Sequence, residues 1–336
     1  MSKSYVWSTP QAFAQCHAST LVEMANGDLL CAFFAGTREG AADVGIYWSR
    51  CNSGRWGDVT LAAKVAPVAH WNPVLFRDSQ GTNFLFFKAG PSPKVWKTFV
   101  RRSLDDGASW SDPEELMPGD ASGGRGPVKN KPIQLADKTI LAPASKEGGN
   151  GGAFVDRSTD GARSWQRSDY VPPPVRATGD LRGQMRVSVI QPSLWESEPG
   201  VIHMLLRSNA GRIYRSDSTD GGRSWCAMYP TALEHNNSGI DLVGLPNGLL
   251  VLAHNPTRYW RNKLVLSMSR DNGETWKVLR VLEDKPENVP ANEYSYPAAI
   301  LRNDGRLAVS YTYERRNIAV VQAAFEELAN RQFPVQ

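Results

Sequence analysis

The amino-acid sequence predicts an all-β protein, a six-bladed β-propeller with Asp-box hairpins. Three observations lead to this prediction: the motif Ser-x-Asp-x-Gly-x-x-Trp recurs along the chain, its copies lie about 50 to 60 residues apart, and helical patterns are nearly absent. At that period the 336 residues provide about six repeats. A closed propeller is one domain, so we expect a single domain over residues 1–336.

The recurring motif, which we call the Asp box, is typical of a hairpin turn. Its glycine reaches positive φ without strain, its Asp side chain accepts bonds from nearby backbone N–H groups, and its Trp packs under the turn. One copy has Ala162 in place of the glycine, and another has Cys51 and Ser53 in place of the Asp and glycine. We therefore expect a structural role for the box, between the last two inner strands of each blade. The copies span residues 49–56, 103–110, 158–165, 218–225 and 269–276.

The segments around the boxes have the apolar and alternating patterns of strands. The first blade, from Ala18 to about Trp56, shows a strand, an Asn-Gly turn and a second strand. The other blades each contain two apolar segments, at residues 72–76 and 84–87, 131–135 and 139–143, 191–195 and 202–207, 240–243 and 249–254, and 296–301 and 307–313. The sixth blade has no box. We expect it to close the ring with the N-terminal strand or with residues 318–322, because closure removes free sheet edges.

Charge and composition argue against several classes of partner. The formal net charge is +4, with acids and bases interspersed and no basic run, so we expect no nucleic-acid partner. No segment approaches the 18 or so apolar residues of a membrane span, and no apolar signal segment is visible. The cysteines have no paired or metal-like spacing, so we expect reduced thiols in a cytoplasmic protein, with neither metal nor cofactor. The sequence does not indicate the oligomeric state.

Polar residues stand at the start of the first strand of every blade. In a propeller the innermost strands begin around the central axis at one face, so we expect these side chains to line one funnel. The set comprises His17, His70, Asn72, Lys129, Lys131, Gln191, Asp241 and residues 293–296.

Asp boxes in a six-blade array resemble those of the sialidase (neuraminidase) superfamily, and the likeness covers nearly the whole chain. Such enzymes bind the substrate carboxylate with three arginines. A tyrosine assisted by a glutamate attacks the sugar, and an acid in a first-blade loop protonates the leaving group. The resemblance implies that Arg207, which ends a strand before the fourth box, and Arg261, which follows an Asn-Pro turn, are the second and third arginines. It also implies that Tyr294, in Glu-Tyr-Ser-Tyr-Pro, is the nucleophile, with Tyr296 as its packing partner.

The resemblance extends to three further residues. Arg38 matches an arginine at the end of the first hairpin. Glu39, four residues before Asp43 in the loop of the family's acid, is the candidate proton donor. Glu314 matches the glutamate that supports the first arginine of the triad.

Two positions depart from the family pattern. His17 stands where the family has its first arginine, and Gln191 stands where it has the glutamate that activates the tyrosine. We expect His17 and Glu314 to pair, so that the carboxylate raises the pKa of the imidazole and keeps it charged in place of the missing arginine. A glutamine amide does not accept a phenol proton, so Gln191 weakens the case for a plain sialidase. His17, Gln191, Tyr294 and Glu39 are the candidate catalytic residues.

Five other residues are candidates for contact with the substrate. His70 and Asn72 open the second blade, where the family recognises sugar substituents. Lys129 and Lys131 add cations for carboxylate or phosphate groups, and Asp241 suits a sugar hydroxyl. Together with these residues, Arg207 and Arg261 point to an acidic carbohydrate partner, because arginine forks bind carboxylates through two parallel bonds.

Three functions remain open from the sequence. The first is a hydrolase that releases a terminal acidic sugar of the sialic or ulosonic type, with Tyr294 as nucleophile. The second is a propeller-type polysaccharide lyase acting on a uronic acid, with the same arginines on the carboxylate and Tyr294 or His17 as base. The third is a carbohydrate-binding propeller without chemistry.

Overall fold

The computed structural model describes residues 1–148, 151–175, 187–289 and 292–329. Its strands form six antiparallel sheets arranged as the blades of a β-propeller, which confirms the predicted fold class. Around the centre, the first strand of blade I contacts those of blades II and VI, and the first strand of blade V contacts those of blades IV and VI. In the described part of the chain the helical content is one short helix, α1 (Phe325–Ala329).

The strands follow one another blade by blade along the chain. The N-terminal strand is β1 (Ser2–Tyr5). Blade I contains β2 (Gln15–Glu23), β3 (Leu29–Gly36), β4 (Gly45–Asn52), β5 (Arg55–Trp56) and β6 (Thr60–Ala63). Blade II contains β7 (His70–Arg77), β8 (Asn83–Ala89), β9 (Lys97–Ser103) and β10 (Glu114–Glu115). Blade III contains β11 (Ile133–Gln134), β12 (Ile140–Lys146), β13 (Gly152–Ser158) and β14 (Gln166–Arg167). Blade IV contains β15 (Val189–Glu198), β16 (Val201–Ser208), β17 (Arg212–Ser218) and β18 (Tyr229–Glu234). Blade V contains β19 (Asp241–Gly244), β20 (Leu250–His254), β21 (Lys263–Ser269) and β22 (Lys277–Asp284). Blade VI contains β23 (Tyr294–Leu301), β24 (Arg306–Tyr313) and β25 (Asn317–Ala324).

Both predicted ways of closing the ring are used together. Strand β25 pairs with β24, and β1 pairs antiparallel with β25, with Ser2 opposite Gln322. The indole N–H of Trp56 in blade I donates to the Ser4 hydroxyl of β1 at 3.1 Å. The N-terminal strand therefore covers the edge of the last blade and is also fastened to the first.

The Asp boxes connect the third strand of a blade to its fourth. In blade IV, the Ser218 hydroxyl donates to Asp220 at 2.8 Å and accepts the Gly222 N–H at 3.0 Å, and Asp220 accepts the Ser224 N–H at 3.0 Å. Trp225 then packs among apolar side chains of blades III and IV. The same Asp contacts recur at Asp105, Asp160 and Asp271. The box is thus a structural turn whose Trp joins two blades.

Four of the innermost strands carry a β-bulge near their first residues, and each bulge places a non-glycine residue at positive φ. These residues are Ala18 (φ 54°), Asn72 (41°), Gln191 (52°) and Tyr296 (53°). Such a conformation costs a non-glycine residue about 1–2 kcal/mol. A bulge also changes which side chain faces the axis, so simple alternation along these strands does not predict the residues at the centre.

We expect Trp225→Ala to lower the free energy of unfolding by about 3–5 kcal/mol, because a large aromatic buried between two blades is lost. Trp276→Ala, at a half-buried box Trp, is the matched variant and should cost less. Urea unfolding followed by circular dichroism measures both losses. Equal losses in the two variants would contradict the conclusion that the packing of Trp225 between blades III and IV adds stability.

Candidate functional site

Side chains from four blades meet where the innermost strands begin. Tyr296 stands at the bulge of β23, Gln191 at the bulge of β15, and His17 next to the bulge of β2. Arg207 ends the neighbouring strand β16, and Arg261 lies in the loop between β20 and β21. The structure therefore brings three residues of the predicted funnel, His17, Gln191 and Tyr296, together with the two arginines that the resemblance indicated.

Arg207 is almost fully buried, with 9% of its surface exposed. Its Nε donates to Asn237 Oδ1 at 2.8 Å, and its Nη1 donates to Gln191 Oε1 at 3.0 Å and to the Tyr296 hydroxyl at 2.5 Å. Each of these partners is an amide or a phenol. Among the described residues, every hydrogen-bond partner of this guanidinium is therefore electrically neutral.

Tyr296 occupies the centre of the cluster. The guanidinium carbons of Arg207 and Arg261 lie 5.5 and 5.4 Å from the centroid of its ring. The imidazole of His17 packs against the same ring at a centroid distance of 4.1 Å. Two cations near one phenol favour negative charge on its oxygen during a reaction.

A chain of ion pairs forms one wall of the site. Glu293 accepts from Arg261 Nη1 through Oε1 and from Arg315 Nε through Oε2, each at 2.8 Å. Arg315 Nη1 donates in turn to Glu39 Oε2 at 2.6 Å. Burial alone would raise the pKa of the Glu293 carboxyl, but its interactions with His17, Arg315 and Arg261 outweigh burial and hold that pKa well below its usual range. Glu293 is therefore ionised and fixes both arginines.

His17 is a neutral imidazole in this site. Burial lowers its pKa well below the ordinary value, and the positive charge of Arg315 lowers it further. Its Nδ1 lies 2.9 Å from the Thr312 hydroxyl, and Arg315 Nη2 approaches its Nε2 at 3.4 Å. The predicted charged pair of His17 with Glu314 is therefore wrong: Glu314 binds Tyr294, and the acid near His17 is Glu293, 4.0 Å from its Nε2. Burial and the neighbouring guanidiniums outweigh that carboxylate and disfavour charge on the imidazole.

The side chain of Tyr294 lies in the core, although its backbone N–H donates to the Arg261 carbonyl oxygen at 2.8 Å. It is fully buried in an apolar cluster with Leu264 and Tyr311, and its hydroxyl donates to Glu314 Oε1 at 2.8 Å. The bulge that follows Tyr294 turns Tyr296 toward the axis instead. This geometry corrects the predicted position of the two tyrosines, and it also assigns Glu314 to Tyr294 rather than to His17.

The first-blade loop reaches the rim of the site. Glu39 is 37% exposed and is bound to Arg315, and Arg38 beside it is exposed to solvent. Asp43 accepts both the backbone N–H and the hydroxyl of Thr37, at 2.7 and 2.6 Å, so it stabilises the loop. Of the two acids in the loop, Glu39 is the one that contacts Arg315, and its role as proton donor stays a prediction.

His70 and Asn72 occupy buried positions in blade II. His70 accepts the Val65 N–H at Nε2, and its Nδ1 lies 2.9 Å from the Val68 carbonyl oxygen. Burial lowers the pKa of His70 to about 4. Both ring nitrogens are thus used within the protein, which corrects the prediction that His70 contacts substrate. Asn72 is buried at the bulge of β7, and its role in binding stays a prediction.

Lys129 connects blades rather than facing the site. Its buried ammonium donates to the side chain of Asn130, to the Ile240 carbonyl oxygen at 2.8 Å and to the Pro297 carbonyl oxygen. A Cβ at Gly239 would lie 2.9 Å from Lys129 Cε, so the absence of a side chain there permits the close approach. Burial lowers the pKa of the Lys129 ammonium to about 7.

Lys131 and Asp241 form a second connection under the site. Lys131 Nζ donates to Asp241 Oδ2 at 2.8 Å, and Asp241 also accepts the Ser193 hydroxyl at 3.0 Å and the Ala299 N–H at 2.8 Å. The partners of the Asp241 carboxylate therefore come from blades III, IV and VI. These contacts correct the prediction that Lys129, Lys131 and Asp241 bind substrate, since all three are used inside the protein.

Three residues of the site have no prediction from the sequence. They are Asn237, Arg315 and Glu147. Glu147 accepts the side-chain amide of Gln191 at 2.9 Å, and burial raises the pKa of its carboxyl. Arg315 directly follows Glu314 at a hairpin tip that returns to the start of the innermost strands. Charged residues at such tips are the signal that could have located it.

The described residues contain no candidate metal site and no candidate membrane helix. No group of three or more His, Cys, Asp or Glu side chains there is arranged to hold a metal ion. No helix in that part of the chain is long and apolar enough to cross a membrane. The four cysteines are free thiols.

Comparison with known proteins places the chain in a family. Residues 27–309 match the sequence profile of the BNR repeat-like domain family. The chain therefore belongs to that family. No curated protein matches this BNR-repeat protein in sequence.

Solved structures share its fold at low sequence identity. The Hadza microbial sialidase Hz136 superposes with a TM-score of 0.76 at 17% identity, over 93% of this chain and 66% of the other. A protein of unknown function from Dyadobacter fermentans gives 0.75 at 16% identity, over 95% and 97%. The NanB sialidase of Streptococcus pneumoniae gives 0.72 at 11% identity, over 96% and 71%. The BNR-repeat chain thus spans slightly less than two thirds of Hz136, and these likenesses establish the fold.

We expect the buried Lys129 ammonium to make stability depend on pH. Between about pH 7 and the pKa of about 10.4 of a free lysine, the unfolded chain binds a proton that the folded protein has lost. The free energy of unfolding therefore rises with pH over this window. Lys129→Met should reduce that slope by up to about 1.4 kcal/mol per pH unit, as measured by urea unfolding at several pH values.

Lys277→Met, at an exposed lysine, is the control and should leave the slope unchanged. A slope that persists in Lys129→Met would contradict the burial of this ammonium.

Proposed function

We propose that the protein binds an acidic sugar of the sialic or ulosonic type and hydrolyses its glycosidic bond. The observation that carries this proposal is the state of Arg207, a nearly buried guanidinium whose hydrogen-bond partners among the described residues are all neutral. A buried charge without an opposite partner is costly. A substrate carboxylate at Arg207 would supply that partner.

The charges around Arg207 support an anionic ligand. Arg261 and Arg315 already share the carboxylate of Glu293, and Arg315 also binds Glu39. Two guanidiniums thus face two carboxylates, and Arg207 adds one further positive charge. The other acid near Arg207 is Glu147, which lies beyond Gln191, and burial raises the pKa of its carboxyl although Arg207 lowers it. Arg261 keeps about a quarter of its side chain exposed, so it remains open to a ligand that also contacts Arg207.

Tyr296 is the nucleophile in this proposal. Its oxygen would form a bond to the anomeric carbon as the bond to the leaving group breaks, and its phenol proton would pass to the neutral imidazole of His17. Glu39, in its protonated form, would give its proton to the leaving oxygen. Water would then hydrolyse the bond between Tyr296 and the sugar. A tyrosine avoids the repulsion that a carboxylate nucleophile would experience beside the carboxylate of the substrate.

A polysaccharide lyase acting on a uronic acid is the second candidate. Two observations favour it: Gln191 cannot take the phenol proton, and His17 is a neutral imidazole against Tyr296. Arg207 would neutralise the uronate, and Tyr296 or His17 would remove the proton on the carbon next to the carboxylate. The bond to the leaving sugar would then break as a carbon–carbon double bond forms. A binding protein without chemistry needs only the arginine contacts.

One assay separates these functions. Purified protein is incubated with a panel of acidic glycosides and uronate-containing polysaccharides. We expect release of a free acidic sugar, without the ultraviolet absorbance of an unsaturated uronide. A rise in that absorbance would favour the lyase, and binding without turnover on any substrate would favour the carbohydrate-binding protein.

We expect Arg207→Ala to lose about 2–5 kcal/mol of transition-state binding, because the substrate carboxylate loses its partner. Arg207→Lys should lose nearly as much, since an ammonium lacks the planar fork. The measurement is kcat/KM on the acidic substrate found in the panel. Arg212→Ala, at an exposed arginine of blade IV, is the control, and a near-normal kcat/KM in Arg207→Ala would remove the carboxylate site from the proposal.

We expect Tyr296→Phe to abolish turnover while substrate binding persists, because only the attacking oxygen is removed. Tyr294→Phe should retain activity and lose about 1 kcal/mol of stability with its bond to Glu314. A fluorinated acidic sugar that traps the covalent intermediate should label Tyr296 in the wild type. If instead Tyr294 were labelled and Tyr296→Phe stayed active, Tyr294 would be the nucleophile.

A further inference from the structure

We propose that Arg315 supplies the third guanidinium of the carboxylate site, from the blade VI hairpin, in place of the arginine that His17 replaces in blade I. This inference rests on the proposed acidic-sugar function. The two positions adjoin each other: Arg315 Nη2 lies 3.4 Å from His17 Nε2, and the backbone N–H of Cys16 donates to the Arg315 carbonyl oxygen at 2.8 Å. The guanidinium thus reaches the blade I position from another blade.

Glu293 sets the orientation of Arg315 relative to the other arginines. One carboxylate oxygen accepts from Arg261 and the other from Arg315, each at 2.8 Å. The two guanidiniums are therefore held on either side of a single carboxylate. Arg207 and Arg261 both lie about the ring of Tyr296, so Arg315 extends the same cationic group toward His17.

The backbone of the hairpin is strained at this residue. Glu314 and Arg315 have φ values of 53° and 54°, and the Arg316 N–H donates to the Tyr313 carbonyl oxygen at 3.0 Å. This is the turn geometry that normally takes Asn-Gly. In the described part of the chain, it is the one place where two consecutive non-glycine residues have positive φ. Strain of this kind persists where surrounding contacts hold it and is concentrated at functional sites.

Side-chain contacts of Glu314 and Arg315 hold the strained turn in place. Glu314 accepts the hydroxyl of Tyr294, and Arg315 binds Glu293 and Glu39. Arg315 therefore points toward the site and Glu314 toward the buried Tyr294, unlike the exposed Arg316 that follows. A second arginine at position 17 would place two guanidiniums within a few ångströms. A neutral His17 and a cationic Arg315 are therefore complementary choices.

The test measures binding of an acidic sugar and of its uncharged methyl ester by titration calorimetry. The probes are N-acetylneuraminic acid and 3-deoxy-ulosonic acids, each compared with its ester. We expect Arg315→Ala to bind the acid about 30-fold or more weakly and to bind the ester as the wild type does. Arg316→Ala is the matched control and should bind both normally.

The double variant His17→Arg/Arg315→Ala returns the guanidinium to blade I and should recover most of the affinity for the acid. Arg315→Lys, which keeps the charge and the bond to Glu293, serves if Arg315→Ala does not fold, and it should weaken binding of the acid alone. Normal acid binding by Arg315→Ala or Arg315→Lys, or a double variant without recovery, would overturn the assignment of Arg315. A wild-type protein that binds none of these acids would instead overturn the proposed function, and the inference with it.

Discussion

Lys129, which is buried beneath the site, is the constraint on which the rest of the structure depends. The polar starts of the innermost strands converge where water is excluded, so their carbonyl groups need donors from the protein. Lys129 provides three donors to three oxygens, two of them in blades V and VI. The neighbouring Asn130 donates to the carbonyl oxygens of Gln191 and Pro192. Because Gln191 lies in the site and Pro297 directly follows Tyr296, the positions of Gln191 and Tyr296 depend on this buried segment. An interior polar network that is fully satisfied in this way confers rigidity on the groups attached to it.

The fold was predictable because its signal is repeated and local. Each Asp box contains its own turn, cap and aromatic anchor, so five copies at a constant period indicate blades without any knowledge of long-range contacts. The centre of the site was less predictable, because it depends on the β-bulges. In a regular strand, Tyr294 and Tyr296 would face the same side, and the family pattern favoured Tyr294. The bulge at φ 53° separates them, so that Tyr296 meets the arginines and Tyr294 enters the core. Sequence alternation does not contain that information.

Of the charged residues predicted from the sequence, some lie together in the site and others are used inside the protein. Arg207, Arg261 and Glu39 were predicted from motifs, and the structure brings them to one site, although their roles in binding remain proposals. Lys129 and Lys131 belong to the same kind of polar cluster in the sequence, but they are used between blades. A sequence pattern gives no distinction between a polar group that faces a ligand and one that satisfies buried carbonyls. Arg315 escaped prediction for a different reason, because Glu-Arg at a hairpin tip is not the sequence that this turn normally takes.

Glu147 gives a physical reason for the glutamine that departs from the family pattern. The Gln191 amide donates to Glu147 at 2.9 Å and accepts from Arg207 at 3.0 Å, so its two ends match a carboxylate on one side and a guanidinium on the other. A glutamate at position 191 would set two carboxyl groups against each other in a buried site. Like charges at that distance cannot both remain ionised without a large rise in the pKa of one of them. The glutamine avoids that repulsion and gives Arg207 an electrically neutral hydrogen-bond partner at this position. The loss of the family's base and the presence of an unpaired buried guanidinium are therefore two results of one arrangement.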